Sequence, residues 1–100
     1  MEKQGKKVKN EIEKERIDKY RKLTGDALKK TKDSVFGGKE KEAKEIFDMV
    51  ENYLSDSLYF EENGNFIDAF AALNYAHGWI DAGVRLDVFD VDDDRLFTVK

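Results

Sequence analysis

The 100-residue sequence contains no cysteine, no proline and a single histidine. The lack of cysteine excludes disulfide bonds, thiolate metal sites and cysteine nucleophiles. No uncharged stretch approaches the ~20 residues that a membrane-spanning helix needs. The N-terminal residues carry several lysines, but they have no apolar stretch of the kind found in signal peptides. We therefore expect a cytoplasmic protein that does not associate with a membrane.

The composition is that of a folded chain with a heavily charged surface. Hydrophobic residues make up 40% of the sequence and aromatic residues 12%, which is enough to build a core, while another 40% of the residues are charged. A chain of this length corresponds to one domain. Because there is no sustained alternation of β-branched residues, the helical period dominates. These features predict a single all-α domain that covers residues 1–100.

The apolar pattern predicts three helices followed by a tail. The first is a long amphipathic helix over about residues 8–35, although Gly25 inside it costs ~1 kcal/mol relative to alanine and could break it. The second covers about 39–63 and the third about 65–86. Residues 87–100 mix aspartates with apolar residues and predict a short irregular acidic tail, part of which lies back on the helices or on another subunit. The expected fold is an antiparallel three-helix bundle in which helices two and three form a hairpin.

The junction between helices two and three carries its own signals. Gly64 suits the left-handed position that ends a helix, and Asn65 suits the N-cap of the next one. Asp68 stands three residues later, at the place of the glutamate in a capping box. A tight turn of this kind predicts that the two helices run antiparallel.

The net charge of −4 hides an asymmetry along the chain. Residues 1–32 carry 12 lysines and arginines against 6 acidic residues, a balance of +6, whereas residues 33–100 carry 6 against 16, a balance of −10. We favour the interpretation that the basic segment folds onto the acidic remainder. RNA binding through the basic first helix is the outside alternative, and we do not expect nucleic acid as a partner.

The third helix is apolar on almost every side. One face carries Phe66, Phe70, Leu73, His77, Ile80 and Val84, and a second carries Ala71, Tyr75, Gly78, Ala82 and Leu86, with Trp79 beside it. Two neighbouring helices can cover only two sides, so the extra apolar face favours self-association, with a dimer as the preferred state. Alternatively, Tyr75 and Trp79 pack under helix one.

Eight residues of this helix are candidates for binding or for an interface, and none is assigned a catalytic role. His77, with Asp81 four residues later, is either a core-edge histidine satisfied by Asp81 or a backbone carbonyl, or part of a ligand or metal site. We favour the first interpretation because a zinc site needs three or four ligands. Arg85 either pairs with Asp81 or engages a partner's carboxylate or phosphate. The eight residues are Asn74, Tyr75, His77, Gly78, Trp79, Asp81, Ala82 and Arg85.

The alternating aspartates of the tail do not predict a metal site either. Asp90, Asp92 and Asp94 resemble the first half of an EF-hand loop, but Arg95 stands where that loop needs glycine. We expect no metal ion and no cofactor.

The run Tyr-Ala-His-Gly-Trp-x-Asp-Ala-Gly-x-Arg-Leu, from Tyr75 to Leu86, resembles a small archaeal family known as domain of unknown function 357. The similarity covers about Tyr53 to Leu86, extends more weakly over helices one and two, and includes most of residues 10 to 89. It implies an archaeal, cytosolic helical bundle and adds no chemistry. In the family, glycine often follows the Arg-Leu pair as a helix stop, and here Asp87 stands in that place.

Taken together, these features predict a non-enzymatic protein–protein interaction or self-association module. The alternative is a small-ligand or metal-dependent activity centred on His77, Asp81 and Arg85.

Overall fold

The computed structural model describes residues 2–97, with side chains from residue 13 onward. Within this range the chain forms three helices, α1 (Glu2–Lys32), α2 (Glu40–Glu62) and α3 (Phe66–Arg85), and an irregular segment follows. The predicted all-α three-helix bundle is confirmed. Residues 98–100 of the predicted tail lie outside the described residues.

The helices run up, down and up. Helices α2 and α3 pack most closely, whereas α1 lies mainly on α3 and touches α2 only slightly. Helix α1 runs parallel to α3, because Tyr20 contacts Phe70 while Thr24, one turn later, contacts His77. Helix α3 is therefore the central element that both of the others cover.

Helix α1 continues through Gly25 without a break. The neighbouring residues Thr24 and Ala27 are fully buried, so packing against α3 holds the backbone where propensity alone is weak. The helix ends at Lys32, three residues before the predicted end. The chain then pairs with the segment after α3, since the Phe36 N–H donates to the Val88 carbonyl at 2.9 Å. This antiparallel bridge draws the backbone out of the helix.

The predicted end of α2 at Gly64 has the expected geometry, with φ at +73°. The Asn65 N–H donates to the Phe60 carbonyl at 2.8 Å and the Gly64 N–H to the Glu61 carbonyl at 3.0 Å, which is a Schellman motif. Asn65 does occupy the N-cap position of α3, but it makes no side-chain bond to the helix backbone. Its amide donates instead to the Asp68 carboxylate at 2.8 Å, so the capping box does not form.

Helix α3 ends in the same motif, with aspartate in place of glycine. The Val88 N–H donates to the Gly83 carbonyl at 2.8 Å, and Asp87 adopts a φ of +61°. Aspartate tolerates this left-handed conformation better than most residues. The stop that the family resemblance associates with glycine is therefore made by Asp87.

The segment after α3 folds back and closes the core. Val88, Phe89 and Phe97 are buried together with apolar residues of all three helices. The ring of Phe89 stacks on Phe47 at a centroid distance of 5.4 Å and covers Gly83. A Cβ atom at Gly83 would overlap two carbons of this ring and approach the Cδ1 atom of Ile46 to 3.0 Å. Gly83 is thus the glycine that close packing requires.

Ion pairs join the basic helix α1 to the acidic remainder. Arg21 donates to Glu61 of α2 at 2.8 Å, and Lys30 donates to Asp93 of the tail at 3.3 Å. Lys32 pairs with Glu51 of α2. The charge asymmetry of the sequence therefore acts within the molecule, as the favoured interpretation requires.

Candidate functional site: the exposed face of helix three

Helix α3 has one buried and one exposed face. The buried face packs against α1, α2 and the tail, and it consists of Ala69, Ala72, Leu73, Ala76, His77, Ile80, Gly83 and Val84. Six of the eight candidate residues are exposed, namely Asn74, Tyr75, Gly78, Trp79, Ala82 and Arg85. The sequence-derived division of the helix into two faces therefore corresponds to inside and outside.

The exposed face forms a shallow groove of about 580 Å³. Its lining comes from α3 alone: Ala71, Asn74, Tyr75, Gly78, Trp79 and Ala82. Tyr75 is 64% exposed and Trp79 is 38% exposed. A Cβ atom added at Gly78 would meet nothing within 4 Å, so this glycine leaves an open gap beside the two aromatic rings.

The Tyr75 side chain does not pack under helix one, which was the alternative for Tyr75 and Trp79. The Tyr75 ring stacks on Tyr53 of α2 instead, with 5.5 Å between the centroids and 20° between the planes. Such stacking contributes roughly 0.5–1.5 kcal/mol and limits the orientations of both rings. The groove therefore has a preformed aromatic edge.

The groove extends to both ends of the helix through residues that are also exposed. Ile67 is 79% exposed at the N-terminal end, and Leu86 is 71% exposed at the C-terminal end. Asp68 and Arg85, one residue inside each of them, are exposed as well. Ile67 was not among the predicted residues, although its position four residues before Ala71 places it on the same helical stripe.

His77 lies on the opposite side, and both of its ring nitrogens are hydrogen-bonded. Nε2 lies 2.8 Å from the carbonyl oxygen of Leu96, which can only accept, so Nε2 carries the proton. Nδ1 lies 3.1 Å from the Thr24 hydroxyl and, in the neutral imidazole, accepts from it. The ring thereby connects α1, α3 and the tail. The backbone carbonyl that was predicted to satisfy His77 is that of Leu96. The contact with Thr24 was not predicted.

Asp81 and Tyr20 border this histidine. The Asp81 carboxylate lies 3.9 Å from His77 Nε2 and is about one quarter exposed. The Tyr20 ring lies 5.7 Å from the imidazole. Burial, and secondarily the Asp81 carboxylate, raise the pKa of the Tyr20 hydroxyl above its ordinary value.

This arrangement offers little to a ligand. A metal needs the lone pair of a ring nitrogen, and the Thr24 hydroxyl and the Leu96 carbonyl engage both nitrogens of His77. Arg85, the third residue of the alternative centre, is exposed in the last turn, whereas His77 is buried. Within the part of the chain whose side chains are described, no three histidine, aspartate or glutamate residues are placed to hold a metal ion.

No helix in the described range combines the length and the apolar character that crossing a bilayer requires. Searches of curated proteins and of solved structures find no match. A family model described as "Protein of unknown function (DUF357)" matches residues 19–89, which include α2, α3 and the last 14 residues of α1. Since this match covers well over half of the chain, the protein belongs to the DUF357 family.

Proposed function

We propose that the protein is a non-enzymatic interaction module of the archaeal cytoplasm, which forms a dimer through the exposed face of α3. The observation that carries the proposal is the distribution of exposed apolar side chains. Among the described residues, seven large hydrophobic side chains are exposed, and four of them lie on or directly after α3: Ile67, Tyr75, Trp79 and Leu86. Contiguous exposed apolar surface of this kind marks interaction sites.

The composition of the face suits a protein partner. Tyrosine and tryptophan are enriched at interfaces because they bury a large area with few rotatable bonds. Gly78 and the flanking alanines Ala71 and Ala82 keep the helix surface low between the rings, which lets a partner approach closely. The face therefore combines anchors with the space that a second helix needs.

The shape of the groove argues for a macromolecule rather than a small molecule. Sites for small molecules usually enclose 70–90% of the ligand surface. This groove has a floor made by one helix and no opposing wall. A macromolecular partner would supply the opposing wall from its own surface.

The test is the native mass of the full chain across concentration, by sedimentation equilibrium. The unmodified protein is expected to be dimeric, and Gly78→Arg is expected to be monomeric because a long charged side chain fills the gap. Leu58→Arg is the matched control, since Leu58 is an exposed apolar residue of α2 outside the groove. It should leave the dimer intact, and circular dichroism should show that both variants fold.

Two outcomes would contradict the proposal. A monomer at all concentrations would exclude self-association. A dimer that Leu58→Arg dissociates and Gly78→Arg does not would place the interface elsewhere.

A further inference from the structure

We propose that the second copy binds α3 in an antiparallel, two-fold arrangement, with the axis crossing the exposed side of the helix at the level of Ala76 and His77. This inference rests on the proposed function and specifies how the two copies of α3 align along their length. The exposed residues of α3 occur in pairs that lie equally far from this level. The pairs are Tyr75 with Gly78, Asn74 with Trp79, Ala71 with Ala82, Asp68 with Arg85, and Ile67 with Leu86.

An antiparallel two-fold contact places each residue opposite the other member of its pair. Such an interface is isologous: the same patch of both copies is used, and it has to be complementary to itself. The arrangement can therefore be judged by asking whether each pair is chemically matched.

The central pair is matched in size. Tyr75 projects from the surface, whereas Gly78 leaves an open gap. In the antiparallel register, the Tyr75 ring of one copy fills the gap over Gly78 of the other, and this happens twice. Ala71 opposite Ala82 then allows the helices to approach closely on either side of the centre. In a parallel register Tyr75 would face Tyr75 and Gly78 would face Gly78. Two large side chains would then collide at one level, and two open gaps would face each other at the other.

The outer pair is matched in charge. Asp68 and Arg85 lie 17 residues apart, which is about 26 Å along a helix. In the antiparallel register each carboxylate faces the partner's guanidinium, and one ion pair closes each end of the seam. Asp68 already accepts from Asn65 at 2.8 Å, and a carboxylate can accept further hydrogen bonds. A parallel register would place like charges opposite each other at both ends, and this repulsion disfavours it.

The terminal pair continues the pattern. Ile67 and Leu86 are the most exposed large apolar residues of the molecule's described part. In the antiparallel register they lie at the same level, beyond the ion pairs and on the two flanks of the seam, so an apolar side chain borders the charged groups at the end of each helix. Antiparallel helix dipoles also attract each other, whereas parallel dipoles repel.

The experiment uses the absence of cysteine from the sequence. Ala71→Cys and Ala82→Cys are made as separate single variants, one of them labelled with ¹⁵N, and mixed before mild oxidation. The antiparallel register predicts that the disulfide-linked product contains one chain of each variant, and that neither variant alone cross-links efficiently. Ser55→Cys, at an exposed position of α2, is the control and should not cross-link with either variant.

The possible results separate the register from the proposed function. If each variant cross-links efficiently with itself, the register is parallel and this inference fails, while dimerisation through α3 stands. If no combination cross-links although the mixture remains dimeric, this register is wrong, and the native mass of Gly78→Arg shows whether the interface still lies on α3.

A charge exchange gives an independent measurement. Asp68→Arg alone and Arg85→Asp alone each place like charges at both ends, and each should raise the dimer dissociation constant by about twofold to thirtyfold. The double variant restores opposite charges across the interface and should recover most of the lost affinity. Because both changes also oppose the helix dipole, thermal unfolding of each variant is measured alongside. If the double variant binds no better than the single ones, the assigned ion pairs are wrong.

Discussion

The two faces of α3 use the same residue types for opposite purposes. Gly83, on the buried face, is filled over by the Phe89 ring, whereas Gly78, on the exposed face, borders open space. Polar groups differ in the same way: His77 inside has partners on both nitrogens, while Asn74 and Arg85 outside face solvent. A glycine or a polar residue in a helix therefore has no fixed meaning until its face is known. The inner face determines stability, and we propose that the outer one determines association.

The largest predicted difference between the two faces comes from replacing an aromatic residue at each of them by alanine. Phe89→Ala removes a fully buried ring and should lower the free energy of unfolding by about 3–5 kcal/mol. Tyr75→Ala removes a ring that is mostly exposed, so it should cost about 1 kcal/mol or less and still abolish the dimer. Urea denaturation measured at a concentration where each variant is monomeric gives the comparison. Equal losses would show that the exposed face is part of the core.

The buried histidine provides the next largest effect. His77→Leu leaves the Leu96 carbonyl and the Thr24 hydroxyl without their partner and should cost about 1–3 kcal/mol. His77→Gln keeps a donor and an acceptor and should lose less. Urea denaturation measures both, and the methyl NMR signals of Leu96 report whether the tail detaches. The same variants examine the metal alternative, because stoichiometric zinc that is lost on mutation of His77 would contradict a purely structural role.

Replacing the two glycines of α3 by alanine should change the free energy of unfolding in opposite directions. Gly83→Ala forces the Phe89 ring to move and should cost about 1–2 kcal/mol, since overpacking outweighs the gain in helix propensity. Gly78→Ala should stabilise the folded chain by about 0.5–1 kcal/mol and weaken the dimer, because the methyl group enters the gap. Gly25→Ala in α1, where a Cβ atom also meets nothing, is the control for propensity and should leave the dimer unchanged. A Gly78→Ala variant that associates as well as the unmodified protein would contradict the close approach.

The smallest effect concerns the attachment of the tail. The Arg95 side chain, then the Arg95 backbone N–H and, more weakly, Lys30 donate hydrogen bonds that lower the pKa of Asp93 to about 2. Since this pKa is lower than that of the unfolded chain, ionised Asp93 stabilises the fold at neutral pH, and the contribution disappears as the pH falls from about 4 towards 2. NMR signals of Phe97 followed through acid titration should show the tail loosening in this window. Asp93→Asn should remove that step, and an unchanged titration would contradict the role of Asp93.

Much of the architecture was predictable because it depends on local rules. The helical period and the lack of proline predicted three helices, and the glycine at position 64 predicted the turn with a positive φ. The end of α1 was predicted three residues too late, because the bridge between Val35 and Phe89 is a contact between distant parts of the chain. The capping box failed for a local reason, since Asn65 and Asp68 bond to each other.

The candidate surface was only partly predictable. Periodicity identified Tyr75, Gly78, Trp79 and Ala82 as a separate face, because side chains three and four residues apart share a side of a helix. The same rule places Ile67 on this face, although Ile67 was not among the predicted residues. The partners of His77 could not be found this way, because Thr24 and Leu96 lie 53 and 19 residues away in the sequence.

By itself, the sequence determined the helical class, the turn at Gly64 and the division of α3 into two apolar faces, because propensity, glycine chemistry and periodicity act over a few residues. Only the tertiary structure decided which of these faces is covered. The tail folds back over Gly83 and α1 lies across His77, while Tyr75, Trp79 and the rest of the second face stay exposed. That choice depends on where distant segments pack, and short-range patterns contain no information about it.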